Sequence, residues 1–319
     1  MAQSAGPKKV REIVAAAVSG ENVYTVLLVY WETEAAQAVG QILRSPNGRQ
    51  GDFVCDLNTN NQLRNVWSSP VGSLWVGSSD GNMWTTANVS WAPPSDETES
   101  DQTGALTRWT ATRLPDMRKH GIKPIMTCVW GTADDDVYVG TFEGGVYHWN
   151  GRAWDQVFTD VSSAINHIHG SAPDDIYAVG EEGVVLHFDG TAWRRLPYPG
   201  DGGRSDGLTG VRAISQHEVY ICGRSGRILH GSRRGLEVLG EFEPAFYGLG
   251  YFRKRVLLAA GDDGVWELAG NTVSPIKDNV GTVGIFEQPD LVFFVEPAQT
   301  PTLIEYAPDQ DPPWWRRVF

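Results

Sequence analysis

Cysteine is scarce: the chain of 319 residues has three, Cys55, Cys128 and Cys222. The count is odd and the spacings are wide, which excludes a disulfide framework and the paired spacings of zinc sites. Long apolar runs are missing as well. No stretch approaches the roughly 18 apolar residues of a membrane-spanning helix. The apolar stretch 13–18 follows Glu12 and falls short of the about 7–15 residues of a signal-peptide core. The expectation is a cytoplasmic protein with free thiols and no membrane partner. Basic residues are outnumbered, 26 Lys and Arg against 39 Asp and Glu, giving a net charge of −13. Such a chain is repelled by nucleic acid and by anionic lipid. The densest basic stretches, Arg118-Lys119-His120 and Arg253-Lys254-Arg255, are short and read as solvated turns. Catalytic signatures are also lacking: no GxSxG elbow, HExxH helix or phosphate-binding glycine loop occurs.

What the chain has in quantity is glycine, 36 residues or about 11% against a usual share of roughly 7%. It also has 13 tryptophans and only 4 methionines. With no sustained helical period, this composition points to many short strands joined by tight turns. Internal repetition organises them. The segment VWGTADDDVYVGTFEGGVYHWNGRAWDQV (129–157) matches IHGSAPDDIYAVGEEGVVLHFDGTAWRRL (168–196). Trp130 pairs with His169, Tyr138 with Tyr177, Gly144 with Gly183, His148 with His187 and Trp154 with Trp193, all at an offset of about 39, the period of a duplicated unit. Weaker copies lie at 66–84, 213–230 and 257–268, and divergent ones at 10–57 and 280–319.

Each unit reads as four short antiparallel strands, with Asp189-Gly190 a hairpin signal between the third and fourth. Such units repeated seven times predict an all-β, single-domain, seven-bladed β-propeller. The expected blades are residues 10–57, 63–112, 125–158, 164–197, 210–240, 246–277 and 280–319. A tryptophan recurs on the fourth strand (Trp109, Trp154, Trp193 and Trp315) and should fill the outer gap between blades. The polar insertion 92–107, with Asp96, Glu97, Glu99 and Asp101, reads as a mobile hairpin loop of the second blade.

The stretch WGTADDDVYVGTFEGGVYHWNGRAW resembles a bacterial propeller repeat of the type WGs..DDvyaVG..G.i.h.dG..W, found among sialidase-like and Asp-box-like propellers. The resemblance covers residues 66–84 and 129–196. It implies the fold and little about activity. A WD dipeptide occurs once, at Trp154-Asp155, and does not recur as a WD-repeat signature, Ser78-Ser79-Asp80-Gly81 lacks the gap of a true Asp-box, and no arginine triad of a sialidase can be assigned.

His148, His187 and His230 recur at one point of the third strand and read as packing or turn-bonding residues. His167 and His169 lie two apart on one strand and share a face, but no third metal ligand accompanies them. Asp134-Asp135-Asp136 and Asp174-Asp175 occupy a repeated turn without EF-hand spacing. No metal and no cofactor is expected. The other acidic turns, with Glu143, Glu181, Glu182, Asp262 and Asp263, join second strands to third and emerge on one face. They form a candidate docking rim for a basic protein, with Phe142, Trp130 and His169 as deeper contacts near the channel mouth. The expected function is a non-enzymatic, protein-binding propeller, monomeric when free, acting as an immunity protein or antitoxin that covers a basic toxin's active site. Charge complementarity would speed its capture. The alternatives are a carbohydrate-binding lectin using Trp and Tyr between blades, and an enzyme with its site on propeller loops.

Overall fold

The computed structural model describes residues 8–31, 38–46, 53–91, 100–116, 121–158, 160–200, 203, 206–287, 291–296, 302–308 and 314–317. Four strands in chain order make each antiparallel sheet, and seven sheets stand in a ring as a seven-bladed β-propeller. Blade 1 comprises Lys9–Ser19, Asn22–Trp31, Val39–Ser45 and Val54–Thr59; blade 2, Leu63–Ser68, Leu74–Ser78, Asn82–Thr85 and Thr110–Arg113. Blade 3 is Met126–Ala133, Asp136–Thr141, Val146–Trp149 and Trp154–Phe158; blade 4, Ile165–Ala172, Asp175–Gly180, Val185–Phe188 and Trp193–Arg195. Blade 5 is Leu208–Ser215, Glu218–Gly223, Arg227–Ser232 and Gly235–Glu241; blade 6, Gly248–Phe252, Arg255–Ala259, Val265–Ala269 and Thr272–Lys277. Blade 7 is Gly284–Glu287, Val292–Glu296, Thr302–Ala307 and Trp314–Arg317. First strands of successive blades pack side by side around the axis.

The core is divided. Seven apolar clusters fill the seven joints between neighbouring blades. A middle strand is therefore covered on both faces, and Ile176, Tyr177, Ala178 and Val179 are all buried rather than alternating. Trp109, Trp154 and Trp193 are buried in these joints, as the repeat suggested. Trp315 is half-buried and stacks on Tyr306 at 3.9 Å.

The turns follow from side-chain chemistry. In blades 3 and 4 the last hairpins carry Gly151 and Gly190 at φ +81° and +84°. Asn150 Oδ1 accepts the N–H groups of Arg152 and Ala153 at 3.0 and 3.1 Å, and Asp189 Oδ1 those of Thr191 and Ala192 at 3.0 Å each. Between second and third strands, Gly226 lies at φ +76°, where a Cβ would also strike the Phe242 carbonyl.

The ring closes without a shared strand among the described residues. Blade 7 meets blade 1 through Phe293, Val295 and Leu303 packed on Ile13, Val23, Leu27 and Val29. The insertion of blade 2 corrects an expectation. Ser100–Asp101 adds a fifth strand to blade 1, pairing with Asn58 and Thr59. Arg44, ion-paired with the buried Asp56 at 3.0 Å, also donates to the Gly104 carbonyl. The sheet edge of blade 1 offers unpaired backbone groups, and this segment uses them instead of swinging free. Residues 92–99, with Asp96, Glu97 and Glu99, lie outside the described residues, as do Arg118, Lys119 and His120.

Candidate functional site

Because every sheet has the order 1-2-3-4, the 2–3 turns and the connectors from fourth to first strands share one face. In blades 2 to 5 the 2–3 turn is tied to the start of its own first strand. Ser79 N–H donates to the Gln62 carbonyl, Phe142 to Ile125, Glu181 to Ala164 and Arg224 to Gly207, at 2.8–3.0 Å. This tie lifts the next residues into solvent. Phe142 is 61% exposed, and Ile125 beside it 40%. Ile122 and Tyr247, on connectors of the same face, are 46% and 40% exposed. Glu143 Oε2 accepts the Ile125 N–H, which places a carboxylate against this apolar group.

The other acidic candidates divide. Glu182, Asp262 and Asp263 are exposed, and Glu182 accepts from Ser163 Oγ at 2.8 Å. Glu182 also holds φ +56°, a left-handed conformation that costs a non-glycine residue free energy. Glu181 is different. It receives Arg224 Nη2 at 2.5 and 2.6 Å and Asn166 Nδ2 at 2.8 Å, so it ties blade 4 to blade 5. The acidic series also breaks at blade 5, whose turn carries Arg224.

Trp130 and His169 are not on this rim. They line the axial channel, in the later half of the first strands and nearer the opposite face. The channel comprises two hollows of about 300 and 320 Å³, both lined by Val66, Val129, His167, Ile285 and Phe286. Arg64, Asn65, Thr127, Asn166, Thr209 and Tyr247 line the hollow nearer the 2–3 turns. In the other hollow one position leans onto the next blade each time. The Trp67 ring rests against Gly131 and the Trp130 ring against Gly170, where an added Cβ would lie 3.0 and 2.6 Å from them. His169 Nδ1 accepts the Ala213 N–H at 3.2 Å, and His167 Nδ1 the Val211 N–H at 3.4 Å. Arg212 forms an ion pair with Glu287, whose carboxylate lies beside Gly250 and also accepts the Tyr251 N–H at 2.6 Å. Burial and the neighbouring Arg212 push His167 down to about 4 and His169 well below the usual histidine range.

The recurrent histidines of blades 3, 4 and 5 each meet an acid of their own blade. His148 Nε2 meets Asp136 Oδ1 at 2.7 Å and stacks on Tyr138; His187 meets the fully buried Asp175 at 2.9 Å and packs on Tyr177. Thr132 and Ser171 donate their hydroxyls to the same carboxylates. Blade 5 carries a looser version, with His230 3.8 Å from Glu218. Asp134 reaches into blade 2 instead, accepting Trp75 Nε1 at 2.9 Å and Ser73 Oγ at 2.6 Å. These carboxylates take side-chain donors rather than the backbone N–H groups that their position in a turn suggests. No group of three His, Cys, Asp or Glu among the described residues is arranged to hold a metal ion. Burial pushes the Cys128 and Cys222 thiols up to about 12, and with Cys55 they remain free. Arg253 and Lys254 form a hairpin turn at φ +51° and +64°, while Arg255 pairs with Glu267 at 2.7 Å. A groove of about 610 Å³ separates blades 3 and 4, lined by Tyr138, His148, Phe158, Phe188 and Trp193 with Gln156, Asp160 and Thr191.

No family model matches the chain, and none of the curated proteins matches it by sequence. Solved structures do. Virginiamycin B lyase from Staphylococcus aureus aligns at TM-score 0.64 and 9% identity over 90% of this chain and 95% of that one. YCF48 bound to D1 peptide aligns at 0.63 and 15%, over 94% of each chain. The WD40 propeller domain of Doa1 aligns at 0.67 and 9%, over 93% and 95%. At these identities the likeness is one of fold, and propellers of this shape include both a lyase and a peptide-bound protein. No helix among the described residues is long and apolar enough to cross a membrane.

Proposed function

We propose that the protein is a non-catalytic binding propeller that docks a protein partner on the face of the 2–3 turns. The observation that carries this reading is the meeting of Phe142 and Ile125, both exposed, with the carboxylate of Glu143 at one place on that face, and Ile122, three residues before Ile125, is exposed as well. Apolar anchors beside an acidic rim are the anatomy of a protein-binding site, anchors supplying affinity and rim charges the rate. YCF48 with its D1 peptide is a propeller of the same fold holding a protein ligand, which supports the class of partner. A net charge of −13 favours a basic one.

The narrower role, an immunity protein that covers a basic toxin, rests on that charge and on the rigid face. The test is capture of a partner from lysate with the full chain, followed by association kinetics. Phe142→Ala should weaken binding by about 2 kcal/mol, mainly through faster dissociation. Reversing Glu143, Glu182, Asp262 and Asp263 to Lys should slow association, and the effect should shrink with salt, since the Debye length is about 8 Å at roughly 0.15 M. Glu181 is left out of that set because its reversal would break the Arg224 tie. Association unchanged at low salt would remove this face as the docking site.

The groove between blades 3 and 4 favours a second reading, a carbohydrate site. Its aromatic rings stand beside Gln156, Asp160 and Thr191, the mixture of flat apolar and polar groups that sugars use. Binding to a glycan array that is lost on substituting Thr191 and Asp160 would support it over the first.

A further inference from the structure

The hollow of the channel nearer the 1–2 turns has hydrogen-bond donors without acceptors. Both histidines there accept backbone N–H groups through Nδ1, so each ring carries its proton on Nε2. Neither Nε2 has a hydrogen-bond partner among the described residues. Arg212 gives Nη2 to Glu287, and its remaining N–H groups are likewise unmatched among the described residues. The carboxylate lining this hollow is already engaged: one Glu287 oxygen holds Arg212 and the other the Tyr251 N–H. The wall beside these donors is apolar, built from Trp67, Trp130, Val129 and Ala17.

We propose that this hollow of about 320 Å³ binds a small organic carboxylate, its oxygens on Arg212 and the Nε2–H groups of His167 and His169, its flat apolar body against Trp130. Guanidinium and imidazole N–H groups match a planar carboxylate in geometry and charge. A dianion suits the site less well, because Glu287 already neutralises part of the Arg212 charge. The inference is independent of the docking face, which lies at the other end of the first strands.

The probe is benzoate, titrated into the full-length protein while the imidazole ¹H–¹⁵N signals of His167 and His169 are followed by NMR. Saturable shifts of both signals are expected below about 20 mM, the millimolar range of a small ligand. Benzamide, the neutral isostere, should leave them in place. Arg212→Gln should weaken binding about tenfold. Glu287→Gln should act in the opposite direction and tighten it about threefold, by removing the competing negative charge. Thermal melts check that both variants fold, and the comparison of benzoate with benzamide needs no variant. No saturation, equal shifts with benzamide, or weakening by Glu287→Gln would each overturn the proposal.

Discussion

The joint between blades 4 and 5 and the joint between blades 7 and 1 are both filled by apolar side chains, and they differ in what is added to that filling. At the first, side chains of blade 4 reach directed partners on blade 5. His167 and His169 cap two backbone N–H groups, Asn166 donates to the Leu208 carbonyl at 2.8 Å, and Glu181 holds Arg224. At the second, the cluster is apolar: Phe293, Val295 and Leu303 against Ile13, Val23, Leu27 and Val29. Blades 4 and 5 are joined by one short stretch of chain, so they meet at high effective concentration, and directional bonds added to their apolar cluster set the register. Blades 7 and 1 lie at opposite ends of the sequence. Their meeting closes a loop of nearly the whole chain, and non-directional burial of large side chains is the term able to offset that entropy.

The largest effect should come from the closing joint. Phe293 is 1% exposed, and Phe293→Ala should cost about 3–5 kcal/mol in urea unfolding. A loss below about 1 kcal/mol would mean that the apolar seam does not hold the ring. Next is Trp193→Ala at the joint between blades 3 and 4. Its ring edges the groove, so the cost should fall at the lower end of the same roughly 3–5 kcal/mol range.

The smallest effect is a pH dependence that separates the two kinds of joint. His167 and His169 stand side by side on one strand and line the channel with Arg212 and Glu287, and their folded pKa values lie below the unfolded value of 6.5. The unfolded chain therefore takes up protons that the folded one refuses. Stability is fully present above about pH 6.5 and is lost as pH falls toward about 4, at no more than roughly 1.4 kcal/mol per pH unit for each histidine. Substituting both by Asn should flatten the dependence of the urea midpoint on pH in that window. An unchanged slope would show that other groups set it.

The fold was legible because its signal is local and repeated. An offset of about 39 between Trp130 and His169, Tyr138 and Tyr177, Trp154 and Trp193 survives in one chain, and turn chemistry such as Asp189-Gly190 marks strand ends without reference to anything distant. The site was less so. Glu181 looked like one more acidic turn because its partner Arg224 lies 43 residues on, in another blade. The clamp of Asp175, His187 and Ser171 was visible as a recurrent histidine and a recurrent acid, yet their pairing 12 residues apart appears only once strands are in register. The channel position held by Trp67, Trp130, His169 and Arg212 changes residue type from blade to blade, so its place in the repeat does not disclose a shared chemistry. A signal existed in the exposed Phe142, an aromatic in a turn otherwise built from Gly, Glu and Thr.

The four main strands of each blade follow one another along the chain, with none borrowed from the other end; the added edge strand of blade 1 comes from the insertion of blade 2. The molecule is in this sense a string of interchangeable cassettes. The first strand of blade 1 begins, and the last strand of blade 7 ends, on the face where every other connector crosses from one cassette to the next. A covalent bridge there would reproduce a link the fold already uses six times, and the chain could then be opened at any of the others. Evolution by copying whole units, as the twin sequences of blades 3 and 4 record, has the same freedom: a unit gained or lost leaves no stranded edge to repair.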